Sequence, residues 1–145
     1  MNTPAIISAL TDHVVSECTP IDTEAAYDSM LDDCYSLSSV GGPFSNMSAS
    51  SVLKEVDPIA YRCGKVDYED AEGWIEIGND YYDKSHVESA VEEFVDGLKS
   101  ELSEMEEELE SLQSEDEPDT EEVLRLETDI QEKQGEIHLC ESYSF

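Results

Sequence analysis

A heptad pattern of apolar residues in the last third of the chain constrains the fold more than any other feature. Two rows of apolar residues recur every seven positions, and the second row is offset by four from the first. Such spacing, held for about three heptads, is the pattern of a helix packed against another helix. The first row is Val91, Leu98, Met105 and Leu112, and the second is Val95, Leu102 and Leu109.

A proline at the end of an acidic run interrupts this helix. Pro118 has no backbone donor and disfavours helical structure in the residue before it. A second heptad pattern then runs from Val123 to Ile137. We therefore predict a coiled-coil-like antiparallel helical hairpin over 84–145, with its turn at 114–120. The pattern leaves open whether the hairpin closes within one chain or between two copies.

Negative charge dominates the composition. The chain of 145 residues has 37 acidic and 7 basic residues, a net charge of −30 at pH 7. A small domain needs a net charge of only about 2–8 in magnitude to stay in solution, so solubility alone does not explain this excess. Between Val91 and Leu112 a single cation, Lys99, accompanies many acids. They are Glu92, Glu93, Asp96, Glu101, Glu104, Glu106, Glu107, Glu108 and Glu110.

Residues 1–83 are predicted to form a small, mostly helical domain. Apolar spacing and turn residues predict helices over 3–17, from Asp22 or Thr23 to about Leu37, and over 51–56. A Gly/Ser-rich stretch at 38–51 is expected to be either an ordered loop held by Phe44 and Met47 or a linker. The predicted inward face of the second helix consists of Tyr27, Met30, Leu31, Cys34 and Tyr35. The predicted inward face of the helix after Pro58 consists of Ile59, Ala60, Cys63 and Val66.

Two local signals shape the end of this domain. Asp57 followed by Pro58 predicts a helix start, because aspartate caps a helix and proline suits its first position. We expect Arg62 on that helix to form a buried ion pair. Residues 73–82 are predicted to hold at most one short β-hairpin or extended arm, so that the fold class is mainly α.

Catalytic and metal-binding patterns are not recognisable in the sequence. The cysteines form no CxxC pair, and the histidines at 13, 86 and 138 lack a nucleophile at recognisable spacing. The sequence therefore predicts a protein without a cofactor, a metal site or enzymatic activity. Without a basic patch or a long apolar span, we expect a cytoplasmic protein that binds neither nucleic acid nor membrane. The cysteines are Cys18, Cys34, Cys63 and Cys140.

The stretch Leu53–Gly64, followed by Asp67 and Tyr68, resembles a pattern in small uncharacterised proteins of phages and prophages. The resemblance covers residues 25–83 and implies a phage origin. In charge, size and predicted helicity the whole chain is also similar to the phage anti-restriction and anti-CRISPR DNA mimics. That similarity implies a non-enzymatic inhibitor whose partner is a basic, nucleic-acid-binding host protein or nuclease complex.

Charge density supports the same hypothesis. Six glutamates fall between Glu101 and Glu110, which at ~1.5 Å rise per residue is one charge per ~2.5 Å of helix. B-DNA carries one phosphate charge per ~1.7 Å of its axis. We expect the hairpin to form the main contact and an acidic patch before the β-hairpin to form a second, with Tyr81 and Tyr82 as anchors. The expected contact residues are Asp67, Glu69, Asp70, Glu72, Glu93, Asp96, Glu101, Glu104, Glu107, Glu108, Glu110, Glu115, Asp116 and Glu117.

Two other functions fit the same sequence. An acidic coiled coil could act as a chaperone or scaffold that keeps a basic partner in solution. It could also act as an adaptor whose hairpin pairs with a partner helix, or with itself in a homodimer. Salt separates these hypotheses, because charge-driven binding weakens steeply with salt whereas binding through an apolar seam does not. Competition by DNA or RNA distinguishes a mimic from a scaffold.

Overall fold

The computed structural model describes residues 3–145, which form a mainly helical protein with one short β-hairpin. The predicted fold class is confirmed. The chain divides into two compact units, one made of the segment up to Thr19 together with 85–145, and the other of residues 20–84. The helices are α1 (Thr3–Glu17), α2 (Thr23–Cys34), α3 (Ala49–Val56), α4 (Pro58–Glu72), α5 (Lys84–Gln113) and α6 (Thr120–Ser142), and the strands are β1 (Ile75–Ile77) and β2 (Asp80–Tyr82).

In the first unit, α5 and α6 form the predicted antiparallel hairpin. Its turn follows the sequence signal, because α5 ends before Pro118 and Asp119 caps α6. Asp119 Oδ1 accepts hydrogen bonds from the backbone N–H groups of Glu121 at 3.0 Å and Glu122 at 3.4 Å. The 30 residues of α5 give it a length of about 45 Å. The hairpin is therefore a long element with a defined turn.

The first helix belongs to this unit. The sequence pattern places α1 in the predicted domain of residues 1–83, whereas in the structure α1 packs against α6 and places His13 beside Phe94 of α5. Of the apolar stripe of α1, only Ile6, Leu10 and Val14 are fully buried. A third helix thus covers part of the hairpin seam.

In the second unit, α2 and α4 meet through tyrosines. Tyr27 of α2 lies against Tyr61 and Tyr68 of α4, at ring-centroid distances of 5.2 and 5.6 Å. Asp22 caps α2 by accepting the backbone N–H of Ala25 at 3.0 Å, so Asp22 is the cap and Thr23 is the first residue of the helix. The helix ends three residues before the predicted Leu37, which leaves Cys34 and Tyr35 exposed and makes their predicted burial wrong.

The orientation of α4 differs from the prediction. The predicted cap is confirmed, since Asp57 Oδ1 accepts the backbone N–H of Ala60 at 3.0 Å. The predicted inward face is wrong. Tyr61 packs in the core with Tyr27, and the face of α4 opposite Tyr61 is therefore exposed. The residues that this rotation exposes are Ile59, Ala60, Arg62, Cys63 and Val66. The predicted burial of the Arg62 ion pair is therefore also wrong.

The Gly/Ser-rich segment is partly helical. A short 3₁₀-helix spans Gly42–Asn46, and α3 starts at Ala49, two residues before the predicted start. Phe44 and Met47 are each about half exposed and are not the anchors of this segment. The tie to α2 comes from Asp32, whose carboxylate accepts the backbone N–H of Ser50 at 2.9 Å and its hydroxyl at 3.0 Å.

The short β-hairpin forms where the sequence predicts it. Ile75 pairs with Tyr82 and Ile77 with Asp80 in the antiparallel register. Gly73 ends α4 in the left-handed region, with φ of 67°, a conformation that a residue with a side chain rarely adopts.

Across residues 3–145, no helix has both the length and the apolar character to cross a bilayer.

Candidate protein-binding surface

The end of the hairpin, defined here as residues 104–129, is the most strongly charged part of the structure. It holds thirteen acidic residues and one basic residue, Arg125, for a net charge of −12. Glu127 is half-buried, and the other twelve acids are exposed. The acids are Glu104, Glu106, Glu107, Glu108, Glu110, Glu115, Asp116, Glu117, Asp119, Glu121, Glu122, Glu127 and Asp129.

This hairpin end extends beyond the helix that covers the rest of the seam. The residues of α6 that form a cleft with Thr3 and Ile6 of α1 run from Glu132 to Ser142. The preceding residues of α6, which run from Thr120, add about 18 Å of helix. Seam burial follows the same division. Val95 and Leu98 are buried, whereas the seam residues of α5 from Leu102 onward are half-buried.

Two lysines of the hairpin join its helices. Lys99 Nζ of α5 lies 2.7 Å from Glu141 Oε1 of α6. Lys133 Nζ of α6 lies 2.9 Å from Glu101 Oε2 of α5 and 3.2 Å from Glu136 Oε2. These cations neutralise carboxylates where the helices meet. They leave the outward faces of the hairpin end negative.

One predicted contact residue on α5 is therefore partly neutralised. Glu101 is exposed, but its carboxylate is paired with Lys133. Four other predicted acids lie at helical spacing on the face opposite the seam. Glu93 and Glu104 are eleven residues apart, as are Asp96 and Glu107, and eleven residues make about three turns. Together with Glu108 and Glu110, these side chains are exposed.

The predicted acids of the turn lie at the end of the hairpin. Glu115, Asp116 and Glu117 are exposed between the last residue of α5 and the cap of α6. The acids of α6 were not among the predicted contact residues. The heptad spacing of Val123 and Ile130 could have placed them, because Glu122 and Asp129 each precede a seam residue and therefore lie beside the seam.

The second predicted acidic patch lies on α4 in the other unit. Asp67, Asp70 and Glu72 are exposed, but Glu69 is buried. Lys65 Nζ lies 2.8 Å from Glu69 Oε1. Burial raises the pKa of Glu69, but hydrogen bonds from Lys65 and Thr23 outweigh it, so the pKa is lowered overall. Glu69 is a structural ion-pair residue, and we remove it from the exposed acidic surface.

The two predicted aromatic anchors differ in burial. Tyr82 is buried, with 2% of its surface exposed, so its ring is part of the core. Tyr81 is half-buried and contacts Trp74 at a ring-centroid distance of 6.4 Å, and Trp74 contacts Tyr68 at 5.6 Å. Of the two tyrosines, only Tyr81 has an exposed part that a partner could contact.

Comparisons with known proteins give no relative for this arrangement. The chain matches no protein-family model, no curated protein and no solved structure.

Proposed function

We propose that this chain is a non-enzymatic inhibitor that imitates nucleic acid. Its hairpin end enters the basic nucleic-acid-binding groove of a host defence enzyme, a CRISPR effector or restriction-type nuclease, and blocks access of DNA or RNA. The observation that carries the proposal is the charge of residues 104–129, where thirteen acids accompany Arg125 alone. As a phage-type inhibitor the protein acts in the host cytoplasm, where its target meets nucleic acid.

The spacing of these charges is close to that of a phosphate backbone. Glu101 is paired with Lys133 and is left out of this comparison. Five glutamates remain between Glu104 and Glu110, which at ~1.5 Å rise per residue is one charge per ~2.1 Å of helix. B-DNA has one charge per ~1.7 Å of axis and ~3.4 Å per strand. Binding of a lysine- and arginine-lined groove to either surface would release counterions into solution.

Support for the charges comes from regular structure on both sides of the turn. The helices of the hairpin are joined by ion pairs of Lys99 and Lys133, and Asp119 fixes the first turn of α6. Charges held on ordered elements lose less conformational entropy on binding than charges on a disordered tail. The hairpin therefore favours a tighter complex than an unstructured acidic segment of equal charge.

The acidic part of α4 contributes a smaller surface. Asp67, Asp70 and Glu72 are available there, and Tyr81 supplies an aromatic contact nearby in sequence. We assign this patch to the recognition of the partner outside its groove. The hairpin end remains the principal contact because it carries twelve exposed acids, against three on this part of α4.

A bacterial lysate passed over the immobilised protein provides the test. Bound proteins are washed at graded salt, identified, and assayed for nucleic-acid binding in the presence of the inhibitor. We expect binding to weaken steeply as salt rises, because each neutralised charge releases counterions. We also expect DNA or RNA to displace the protein from its target. A partner that binds the chain and nucleic acid at the same time would instead indicate an acidic chaperone or scaffold.

Charge reversal locates the contact. Replacing Glu104, Glu107, Glu108 and Glu110 with lysine should preserve helicity and abolish inhibition. A matched control changes the net charge equally at exposed positions outside the hairpin, namely Asp12, Glu17, Asp33 and Glu55. The control variant should inhibit nearly as well as the wild type. Full inhibition by the hairpin variant, or equal loss in both variants, would reject the hairpin as the contact surface.

A further inference from the structure

The outward face of α4 carries an exposed apolar stripe, although the chain as a whole is strongly acidic. Ile59 is 64% exposed and Val66 is 53% exposed, and Cys63 between them is also exposed. The three residues are four and three positions apart, which places them in one stripe along the helix. An exposed apolar stripe on a regular helix is the kind of surface that a second helix covers.

A cation beside this stripe has no ion pair. Arg62 is exposed, and within residues 3–145 no carboxylate pairs with it. Lys54 and Lys65 in the same unit both bind carboxylates at 2.9 Å or less. In a chain with 37 acids, an unpaired arginine next to an apolar stripe indicates a surface that is complementary to an external carboxylate.

We propose that the α4 helices of two copies of this chain pack in parallel through the stripe. With Ile59 and Val66 at d positions and Cys63 at an a position, Arg62 falls at g and Asp67 at e. In a parallel two-stranded coiled coil, the g residue of one helix meets the following e residue of the other. The unpaired Arg62 therefore meets the second copy's Asp67, and the two-fold axis repeats this pair on the other side.

The antiparallel arrangement is disfavoured by the same residues. A two-fold axis through the middle of the stripe, near Cys63, would bring the Arg62 side chains of both copies to one side of the interface. Like charges in that position repel each other. Of these two arrangements, only the parallel one gives Arg62 an opposite charge while the stripe is covered.

The pairing is short and therefore weak. Two heptads bury far less than the ~1,200 Å² of a standard stable interface. Asp70 falls at the next a position, where the two copies would bring like charges together, and each copy carries a net charge of −30. Salt screens both repulsions, so self-association should strengthen as salt rises.

This inference does not depend on the hairpin contact of the proposed inhibition, although α4 pairing and the smaller α4 contact both use Asp67 and Asp70. The hairpin contact weakens with salt, whereas α4 pairing strengthens with salt, so failure of one leaves the other measurable. Analytical ultracentrifugation of the purified full chain, at about 0.05 and 0.5 M salt and up to millimolar protein, gives the first test. We expect a monomer–dimer equilibrium that is at least several-fold tighter at high salt. A monomer under every condition would overturn the proposal.

Charge variants then test the assigned contact. R62D should weaken dimerisation about tenfold at 0.5 M salt, because symmetry counts each exposed pair twice. D67R lowers the magnitude of the net charge, which by itself would favour association, yet it should also weaken the dimer. The double variant R62D/D67R restores the opposite charges and should restore dimerisation. Equal effects of the single and double variants would overturn the Arg62–Asp67 pairing.

Two further variants test the stripe and its direction. I59D should abolish dimerisation, and D70N should strengthen it by removing like charges from an a position. In a C34S background, a short bismaleimide should join two Cys63 thiols, because a parallel arrangement places them opposite each other; Cys18 and Cys140 are buried. Dimerisation that is unchanged by I59D, or a dimer that does not cross-link through Cys63, would contradict parallel packing of α4.

Discussion

Lys133 of α6 places its ammonium nitrogen 2.9 Å from the carboxylate of Glu101 on α5. The same nitrogen lies 3.2 Å from Glu136, which is 7% exposed. Burial lowers the pKa of Lys133, but the hydrogen bonds to Glu101 and Glu136 outweigh this effect and raise it overall. This lysine therefore links the two helices of the hairpin and compensates a buried acid.

Replacing Lys133 with methionine should destabilise the protein. The change keeps much of the packing volume and removes the ammonium group near Glu136. We expect a loss of about 1–3 kcal/mol in the free energy of unfolding at pH 7, measured by urea denaturation. The raised pKa means that this stabilisation is fully present below the unfolded-state pKa of about 10.4 and is lost as pH rises through the folded-state value.

A matched variant separates the local ion pair from the change in net charge. Lys99→Met also removes one positive charge, but Lys99 and Glu141 have half-exposed side chains. Solvent screens such a pair, so its loss should cost clearly less stability than the loss of Lys133. If the two variants were equally destabilised, net charge and not the buried pair would explain the effect.

Local signals in the sequence predicted the hairpin and its ends. The heptad rows depend on helix periodicity alone, and Pro118 and Asp57 act on their immediate neighbours, so each could be read without knowing the tertiary structure. The same holds for the acidic surface, since most glutamates at positions outside a seam face solvent. The partner of α1 was not predictable in this way. The apolar stripe of α1 indicates that another element packs against it, but does not indicate that this element is α6.

The inward face of α4 was predicted wrongly for a tertiary reason. Counting aliphatic residues favours the face of Ile59 and Val66, and both are exposed. The tyrosines Tyr61 and Tyr68 instead meet Tyr27, and aromatic rings bury more area than the aliphatic side chains. The burial of Glu69 also depends on this rotation. The sequence shows Lys65 four residues earlier, but helix spacing alone does not show which ion pairs become buried.

Substituting alanine for Gly64 should reverse the usual effect of this change in a helix. Alanine in a helix interior normally stabilises by about 0.5–1 kcal/mol relative to glycine. At Gly64 a Cβ would collide with the hydroxyl of Tyr27, whose ring is held between Tyr61 and Tyr68. We expect Gly64→Ala to destabilise the second unit by about 1–3 kcal/mol, as overpacking does, and thermal unfolding followed by circular dichroism measures it.

Two comparisons check this explanation. Gly97→Ala in α5 places a Cβ where nothing lies within 4 Å, so it should stabilise the protein by about 0.5–1 kcal/mol. Adding Tyr27→Phe removes the hydroxyl that meets the new methyl group, so the double variant should recover part of the loss at Gly64. Without any such recovery, the collision would not be the cause.

Tyr61 should control stability at alkaline pH. Its hydroxyl donates a hydrogen bond of 2.6 Å to Asp28 Oδ1. Burial, followed by this hydrogen bond, raises the pKa of Tyr61 from 10.0 to about 12. Because the folded state holds the proton more tightly, the stabilisation is full below pH 10 and is lost as pH rises toward 12. An absorbance titration of phenolate should show Tyr61 among the tyrosines that ionise together with alkaline unfolding.

The variant Tyr61→Phe provides the corresponding test. It should lower the free energy of unfolding at pH 7 by about 1–3 kcal/mol, because Asp28 loses a donor, and it should reduce the loss of stability between pH 10 and 12. Tyr35→Phe is the control, since Tyr35 is 62% exposed and should change neither quantity. An unchanged alkaline transition in Tyr61→Phe would assign that transition to another group.

His13 should be a site at which an apolar residue increases stability. Its Nε2 atom is buried and has no hydrogen-bond partner within the described chain, and its ring lies 5.4 Å from that of Phe94. A buried polar atom without a partner costs about 1–3 kcal/mol, so His13→Leu should raise the free energy of unfolding by part of that amount. The exposed His138 on α6 is the control, because His138→Leu removes no buried polar atom and should give no comparable gain. Urea denaturation at pH 7.5 compares both variants with the wild type, and a lower stability for His13→Leu would mean that Nε2 has a partner in solution.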